Sequence, residues 1–153
     1  LEYKPEPVDL NRSLEETLEK YKIKSRVNIS MQLDKSNPVV ISSYRALRLI
    51  YSSLIENSIQ ALESAKNPQI NIETRKYPDK TILTLQDNGI GIKPEHISTI
   101  FDLFFTTRKG KGRGIGLYLV SNILEHQGAK IRAESEVNQG TKMIIEFPTQ
   151  STN

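Results

Sequence analysis

Three short stretches of this chain carry side chains able to do chemistry. In a segment with helical periodicity, residues 42–64, Asn57 borders the apolar face: at about 100° per residue, Ile50 and Ala61 lie within roughly 40° of it and Leu54 about 60° away. A carboxamide there must find a partner, either in the protein or in a ligand and its metal ion. Ser53 and Gln60 share that edge, whereas Glu56 points about 100° away, toward solvent. Further along, Leu83, Leu85 and Asp87 fall on one face of a strand, so a carboxylate extends an apolar row and is followed at once by Asn88-Gly89-Ile90-Gly91. Such a carboxylate can accept a hydrogen bond from a ligand amine in an apolar pocket, or simply open an Asp-Asn-Gly turn. The third stretch, Gly110-Lys111-Gly112-Arg113-Gly114-Ile115-Gly116-Leu117, leads directly into a helix. Glycines let backbone approach phosphates closely, and the free N–H groups of a helix start attract anions. Arg108, Lys109, Lys111 and Arg113 add a positive field suited to a polyphosphate. No strand directly precedes this loop and no Gly-Lys-Thr or Gly-Lys-Ser occurs in it, so neither a dinucleotide-binding nor a Walker-type loop fits.

These residues need elements to position them. Asp9 can N-cap an amphipathic helix over residues 10–21, with Leu14 and Leu18 inward. Val27, Ile29, Met31 and Leu33 alternate as a half-buried strand, and residues 39–41 form a shorter apolar run. Ser42 or Ser43 can cap the long helix, which Asn67-Pro68 ends. Strands are expected over 69–75 and 80–87, joined by a hairpin turn at Tyr77-Pro78-Asp79. Residues 88–113 are rich in Gly, Lys and Thr, broken by one helical turn after Pro94 and by the aromatic patch Phe101, Phe104 and Phe105. That length exceeds a connector and points to a functional or disordered loop. A second helix is expected over 114–127 with Gly128 at its C′ position, then strands over 130–135 and 141–147. The pattern implies a two-layer α+β sandwich, with helices on one face of a mixed sheet. Residues 1–8, with Pro5 and Pro7, read as a linker outside the core, 9–148 as the domain and 149–153 as a polar tail.

Composition narrows the classes. A chain of 153 residues fits one domain, and 37% hydrophobic with 25% charged residues excludes collagen-like, coiled-coil and fully disordered architectures. No apolar run is long enough to span a bilayer. The absence of Cys excludes disulfides, thiolate metal sites and Cys nucleophiles, and His96 and His126 read as surface histidines. A net charge of +3 is too weak to predict nucleic-acid binding. With Leu1 first and methionines only at 31 and 143, the sequence is expected to be an excised part of a longer chain.

Taken in order, Glu56-Asn57-Ser58-Ile59-Gln60-Ala61, Asp87-Asn88-Gly89-Ile90-Gly91, the phenylalanine-rich residues 100–107, Gly112-Arg113-Gly114-Ile115-Gly116-Leu117 and Gly140-Thr141 resemble the N, G1, F, G2 and G3 boxes of sensor histidine kinases. These belong to an ATPase superfamily that also holds DNA gyrase, a heat-shock chaperone family and the mismatch-repair ATPases. The resemblance runs from residue 7 to residue 148 and implies a Bergerat fold, with ATP between the helices and a flexible lid at about residues 93–113. It implies ATP and Mg²⁺ as cofactors, with Asn57 as catalytic residue and Mg²⁺ ligand, Asp87 accepting from the adenine amine, and Gly91 allowing close approach to the base. Gly112, Gly114 and Gly116 would wrap the phosphates and Thr141 would lie near the adenine. Gly89, Ile92, Thr106, Thr107, Lys111, Arg113, Ile115 and Leu117 would complete the nucleotide site. Ser58, Gln60 and Ala61 depart from the common Ala, Lys and aromatic residue, and Leu103 from a Pro before the Phe pair. Arg113 replaces a common Thr or Ser and either touches phosphate or faces water.

The hydrolysing branches of the superfamily use a Glu one helical turn before the Asn, where it can activate water; here that residue is Ser53. In histidine kinases the phenylalanine-rich segment docks on the helical domain bearing the acceptor histidine, which would assign Phe101, Phe104 and Phe105 to that contact. The expected function is therefore that of the ATP-binding catalytic domain of a two-component sensor histidine kinase, transferring the γ-phosphoryl group to a His on a separate dimerisation domain. Neither His96 nor His126 lies in a phosphoacceptor context, so no self-contained autophosphorylation is expected. The implied partners are the dimerisation and phosphoacceptor domain and a response regulator, with no nucleic acid and no direct membrane contact, in the cytoplasm whether or not the parent is membrane-anchored. Two alternatives stay open. One is an ATPase or anti-sigma-type serine kinase of the same superfamily. The other is a nucleotide-binding regulatory module, whose mark would be loss of Asn57, Asp87 or the glycines, and none of these is lost.

Overall fold

A computed structural model of the chain describes residues 4–103, 105 and 116–148. Helix α1 (Leu10–Lys24) starts where the Asp9 carboxylate accepts the Arg12 N–H at 3.1 Å. It runs three residues beyond the expected end. Helix α2 (Tyr44–Ala61) starts at Ser43, whose hydroxyl accepts the Ala46 N–H at 3.0 Å, so the second of the two candidate serines is the cap. The helix stops at Ala61, short of residue 64. Here the Arg26 guanidinium donates to the carbonyls of Leu62 and Glu63, each at 2.8 Å, and the Ile90 N–H takes the Ala61 carbonyl at 3.1 Å. Tertiary partners thus satisfy carbonyls that a helix end would otherwise leave orphaned.

Five strands form the main sheet: β2 (Asn28–Gln32), β4 (Gln69–Lys76), β5 (Lys80–Asp87), β6 (Lys130–Glu136) and β7 (Gly140–Pro148), in the order β2-β4-β5-β7-β6. β2 and β4 pair in parallel and the other neighbours antiparallel. The parallel pair requires a crossover, which the chain between β2 and β4 supplies through α2. Along β5, Thr81, Leu83, Leu85 and Asp87 are buried while Gln86 is exposed, the two-residue period read from the sequence. The inward rows of the sheet, including Ile70, Ile72, Leu83, Leu85, Ile145 and Phe147, pack with residues of α1, α2 and α3 (Gly116–His126) into one core. On the outer face of β4, Glu73 and Arg75 pair with each other at 3.0 Å. The two-layer α+β sandwich is therefore the architecture. Gly128 follows α3 with φ +72°, the left-handed cap its position predicts.

Two segments differ from expectation. Residues 6–8 are not a detached lead-in: β1 (Glu6–Asp9) pairs antiparallel with β3 (Val39–Ser42), and Val8 and its partner Val40 are both 1% exposed. Pro5 and Pro7 keep the chain extended without breaking a strand that lies at a sheet edge. The first part of the expected lid is also folded, since Pro94–Thr99 form a 3₁₀ helix and Ile100 behind it is 3% exposed within the core. Residues 94–100 of the expected lid are thus folded and held to the core through the buried Ile100 side chain. The polar tail 149–153 lies outside the described residues. Among the described residues, no helix is long and apolar enough to cross a membrane.

Candidate functional site

Asp87 ends β5 and is 5% exposed. Three elements deliver donors to it. The antiparallel register places Thr141 of β7 opposite, and its N–H reaches Asp87 Oδ1 at 3.3 Å. The Gly89 N–H reaches the same oxygen at 2.9 Å. From α2, the Ser58 hydroxyl donates to Oδ2 at 2.8 Å. Burial pushes the Asp87 carboxyl above the ordinary carboxylate range, while the Gly89, Ser58 and Thr141 hydrogen bonds pull the other way and offset part of that rise.

The loop after Asp87 is clamped on both sides. A Cβ at Gly89 would lie 2.5 Å from the Ala61 carbonyl oxygen, and one at Gly91, where φ is +75°, would lie 2.2 Å from that of Glu136. The freedom of Gly91 was expected to serve approach to a base; the close approach the structure contains is to the protein's own turn between β6 and β7. That turn is stitched to the loop by the Asn138 N–H on the Ile90 carbonyl at 2.7 Å and the Ile92 N–H on Ser135 Oγ at 2.8 Å.

These elements enclose a cleft of about 650 Å³, in the range of small-molecule sites. Its wall includes Asn57 and Ser58 of α2, Asp87, Gly91, Ile92, Gly116 and Leu117 at the start of α3, and Thr141. Residues 57, 87, 91, 92, 116, 117 and 141, widely separated in the sequence, thus line one cavity. Gly89 stands behind Asp87 as its donor. Thr106, Thr107, Lys111, Gly112, Arg113, Gly114 and Ile115 lie outside the described residues, as does Phe104. The half-buried Asn57 side chain lines the cleft and has no hydrogen bond to another described side chain or backbone group. The described residues contain no group of three His, Cys, Asp or Glu suited to a metal ion. Mg²⁺ takes hard oxygen ligands and keeps several waters with substrate phosphates in its shell, and the Asn57 carboxamide can offer one such oxygen.

Ser58, His96, Phe105 and Met143 line the cleft without having been predicted there. Ser58 was legible: it stands three, four and seven residues after Ile55, Leu54 and Tyr51, all buried, and so had to face inward. His96 is not a free surface histidine, since its ring meets Phe105 edge-on with centroids 5.6 Å apart. His126 is exposed, with Nδ1 2.8 Å from the Asn122 carbonyl. Phe101 is half-buried against the core, and half-buried Phe105 walls the cleft. Ser53 is half-buried with its hydroxyl toward the start of α3, 3.7 Å from where a Cβ at Gly116 would sit. Glu56 is exposed and accepts from the Tyr21 hydroxyl at 3.0 Å, away from the cleft wall, as its helical angle requires. A second groove of about 740 Å³ between α2 and α3, walled by residues including Arg45, Arg48, Leu49, Ile123 and His126, shares no residue with the first and holds none of the predicted site.

Comparison with known proteins agrees with this geometry. A family model described as histidine kinase-, DNA gyrase B- and HSP90-like ATPase matches residues 42–151. The chain is 35% identical over 125 residues to the sensor protein RprX of Bacteroides fragilis, an alignment covering 78% of this chain and 24% of that protein. The catalytic domain of histidine kinase ThkA, in a nucleotide-free form, superposes with a TM-score of 0.82 at 26% identity, covering 99% of this chain and all of that one. ThkA in complex with the response regulator protein TrrA superposes with a TM-score of 0.77 at 23% identity, covering 97% of this chain and 42% of that one. The chain spans about a quarter or less of the curated relatives it matches.

Proposed function

The chain belongs to the histidine kinase-, DNA gyrase B- and HSP90-like ATPase family, and we propose that it is the ATP-binding catalytic domain of a sensor histidine kinase, passing the γ-phosphoryl group of ATP to a histidine on a separate helical domain. The observation that carries this reading is the buried carboxylate of Asp87, held by three donors at the wall of a cleft that also contains Asn57 and the start of α3. Asp87 accepts a hydrogen bond from the exocyclic amine of adenine. Asn57 would hold Mg²⁺, which when bound neutralises charge on the phosphate oxygens. Gly112, Gly114 and Gly116, with Lys111, Arg113 and the N-terminus of α3, bind the phosphates.

Transfer is favoured over hydrolysis by the residue one helical turn before Asn57. Ser53 is no base at neutral pH, and Glu56 is engaged with Tyr21 away from the cleft. The nucleophile is then supplied by the acceptor imidazole, whose nitrogen forms a bond to the γ-phosphorus as the bond to the β,γ-bridging oxygen breaks and ADP leaves. This chain's residues orient the phosphates and exclude competing geometries. The sensor-kinase names of the relatives and the response-regulator complex of ThkA support a helical acceptor domain and a response regulator as partners, in the cytoplasm where ATP is held. Calorimetry with ADP and Mg²⁺, followed by phosphotransfer from ATP to a supplied acceptor domain, tests the reading. Saturable binding, transfer to the acceptor and no self-phosphorylation are expected. No heat and no competition at millimolar nucleotide would overturn it.

A further inference from the structure

The acceptor sites on Asp87 are nearly all filled, and the one left over bears on which nucleotide base fits, given the adenine reading above. A carboxylate offers about four lone-pair sites, two on each oxygen. Gly89 and Thr141 fill both sites on Oδ1 from backbone N–H groups, and Ser58 fills one on Oδ2. Among the described residues no other donor reaches Asp87, which leaves one site for a ligand, on the oxygen that Ser58 holds. We propose that Ser58 is the specificity-determining positioning residue of this site: its hydroxyl keeps the remaining site on Oδ2 an acceptor, so the cleft takes purines with a 6-amino donor and rejects 6-oxo purines.

The decisive quantity is the electrostatic balance at a single oxygen. Asp87 and Ser58 are 5% and 4% exposed, so bulk water contributes little to holding the charge. Removing the Ser58 hydroxyl would leave Oδ2 with no protein donor while Oδ1 kept two. Burial disfavours the charge, and losing the Ser58 hydrogen bond removes one of the contacts that offset that rise, so a proton taken up by the acid would sit on Oδ2, the less supported oxygen. An O–H there donates, which suits a 6-oxo group and repels a 6-amino group. Lys93 and His96 are the other titratable groups in the described wall, and both are unchanged between the variants compared below.

The test titrates the whole chain with ADP and with IDP, which differ at purine position 6 and in the N1 proton that accompanies the 6-oxo group, in the presence of Mg²⁺. The unmodified protein should prefer ADP. Ser58→Ala should weaken ADP about tenfold, the scale of one hydrogen bond to a charged group, while IDP affinity stays the same or rises. Asp87→Asn, which puts an amide donor at the same place, should shift preference in the same direction. Equal losses for both nucleotides in Ser58→Ala would reduce Ser58 to packing, and no change in either would make its hydroxyl idle; both results overturn the inference. A protein that binds neither nucleotide overturns the adenine reading itself. One that prefers ADP and keeps that preference in Ser58→Ala overturns only the role of Ser58.

Discussion

Among the described residues, two carboxylates that each accept three hydrogen bonds, Asp34 and Asp87, are tuned in opposite directions. Asp34 accepts from the Lys76 N–H at 2.7 Å, the Ser36 N–H at 2.9 Å and the Ser36 hydroxyl at 2.7 Å, and the backbone donor on Lys76 leads the causes that lower its pKa from 3.8 to about 2. A carboxyl whose folded pKa lies below its unfolded one stabilises the fold fully above the unfolded value, and that contribution is lost as pH falls through the folded value. Asp34→Asn should therefore lower the melting temperature at neutral pH and flatten its decline from about pH 5 to about pH 2, measured by thermal melts at each pH. Asp87 has the reverse sign, since its raised pKa makes the folded state hold more protons just above the ordinary carboxylate range. Stability from that group falls as pH rises through the window. A buried carboxylate whose charged form costs stability is a candidate functional group in energetic terms. Asn57 carries no such charge, so its replacement isolates the metal. Asn57→Ala should cut phosphotransfer to a supplied acceptor steeply while ADP affinity measured without Mg²⁺ stays within about 1 kcal/mol. Equal loss in both would sink the metal role.

At the scale of elements, the loop after β5 and the turn between β6 and β7 work as one wall, and the 3₁₀ helix carries His96 against Phe105 at its far side. The aromatic segment was expected to reach outward to a partner. Because Phe105 instead lines the cleft, Phe105→Ala should weaken ADP by more than about 1 kcal/mol, the scale of a lost aromatic contact. Calorimetry decides: unchanged ADP affinity with impaired transfer would restore the outward role.

For the molecule as a whole, the β1–β3 pair ties residues 6–9 to the core. Val8 is 1% exposed, so Val8→Ala should cost about 2 kcal/mol, and a chain beginning at residue 10 should lose more because β3 also loses its only pairing partner among the described strands. Urea unfolding should show a lower midpoint with the slope unchanged for the point variant. A midpoint equal to the parent's would return residues 1–8 to linker status. Ligand linkage gives a further check on the proposed function. ADP at about 100 times its Kd should raise unfolding free energy by about 2.7 kcal/mol, and Ser58→Ala should shrink that gain at fixed ADP.

What the sequence by itself determined is the set of features written within a few residues. Caps at Asp9 and Gly128, a serine cap at 42 or 43, the two-residue period that turns Asp87 inward, the helical angle that sends Glu56 to solvent, and the residues within each box from Asn57 to Thr141 depend on neighbours a few positions apart, and the structure contains the described ones, with Ser43 as the cap. Tertiary structure alone decided which groups meet. Ser58 reaches Asp87 across 29 positions and Thr141 reaches it across 54, the backbone of Glu136 dictates the glycine at 91, Val8 joins the core and Phe105 turns into the cleft. Local periodicity can say that a side chain faces inward but not what it faces. That is set by strand register and helix packing, where a slip of one residue would turn Asp87 to the opposite face of the sheet and leave Ser58 with nothing to hold.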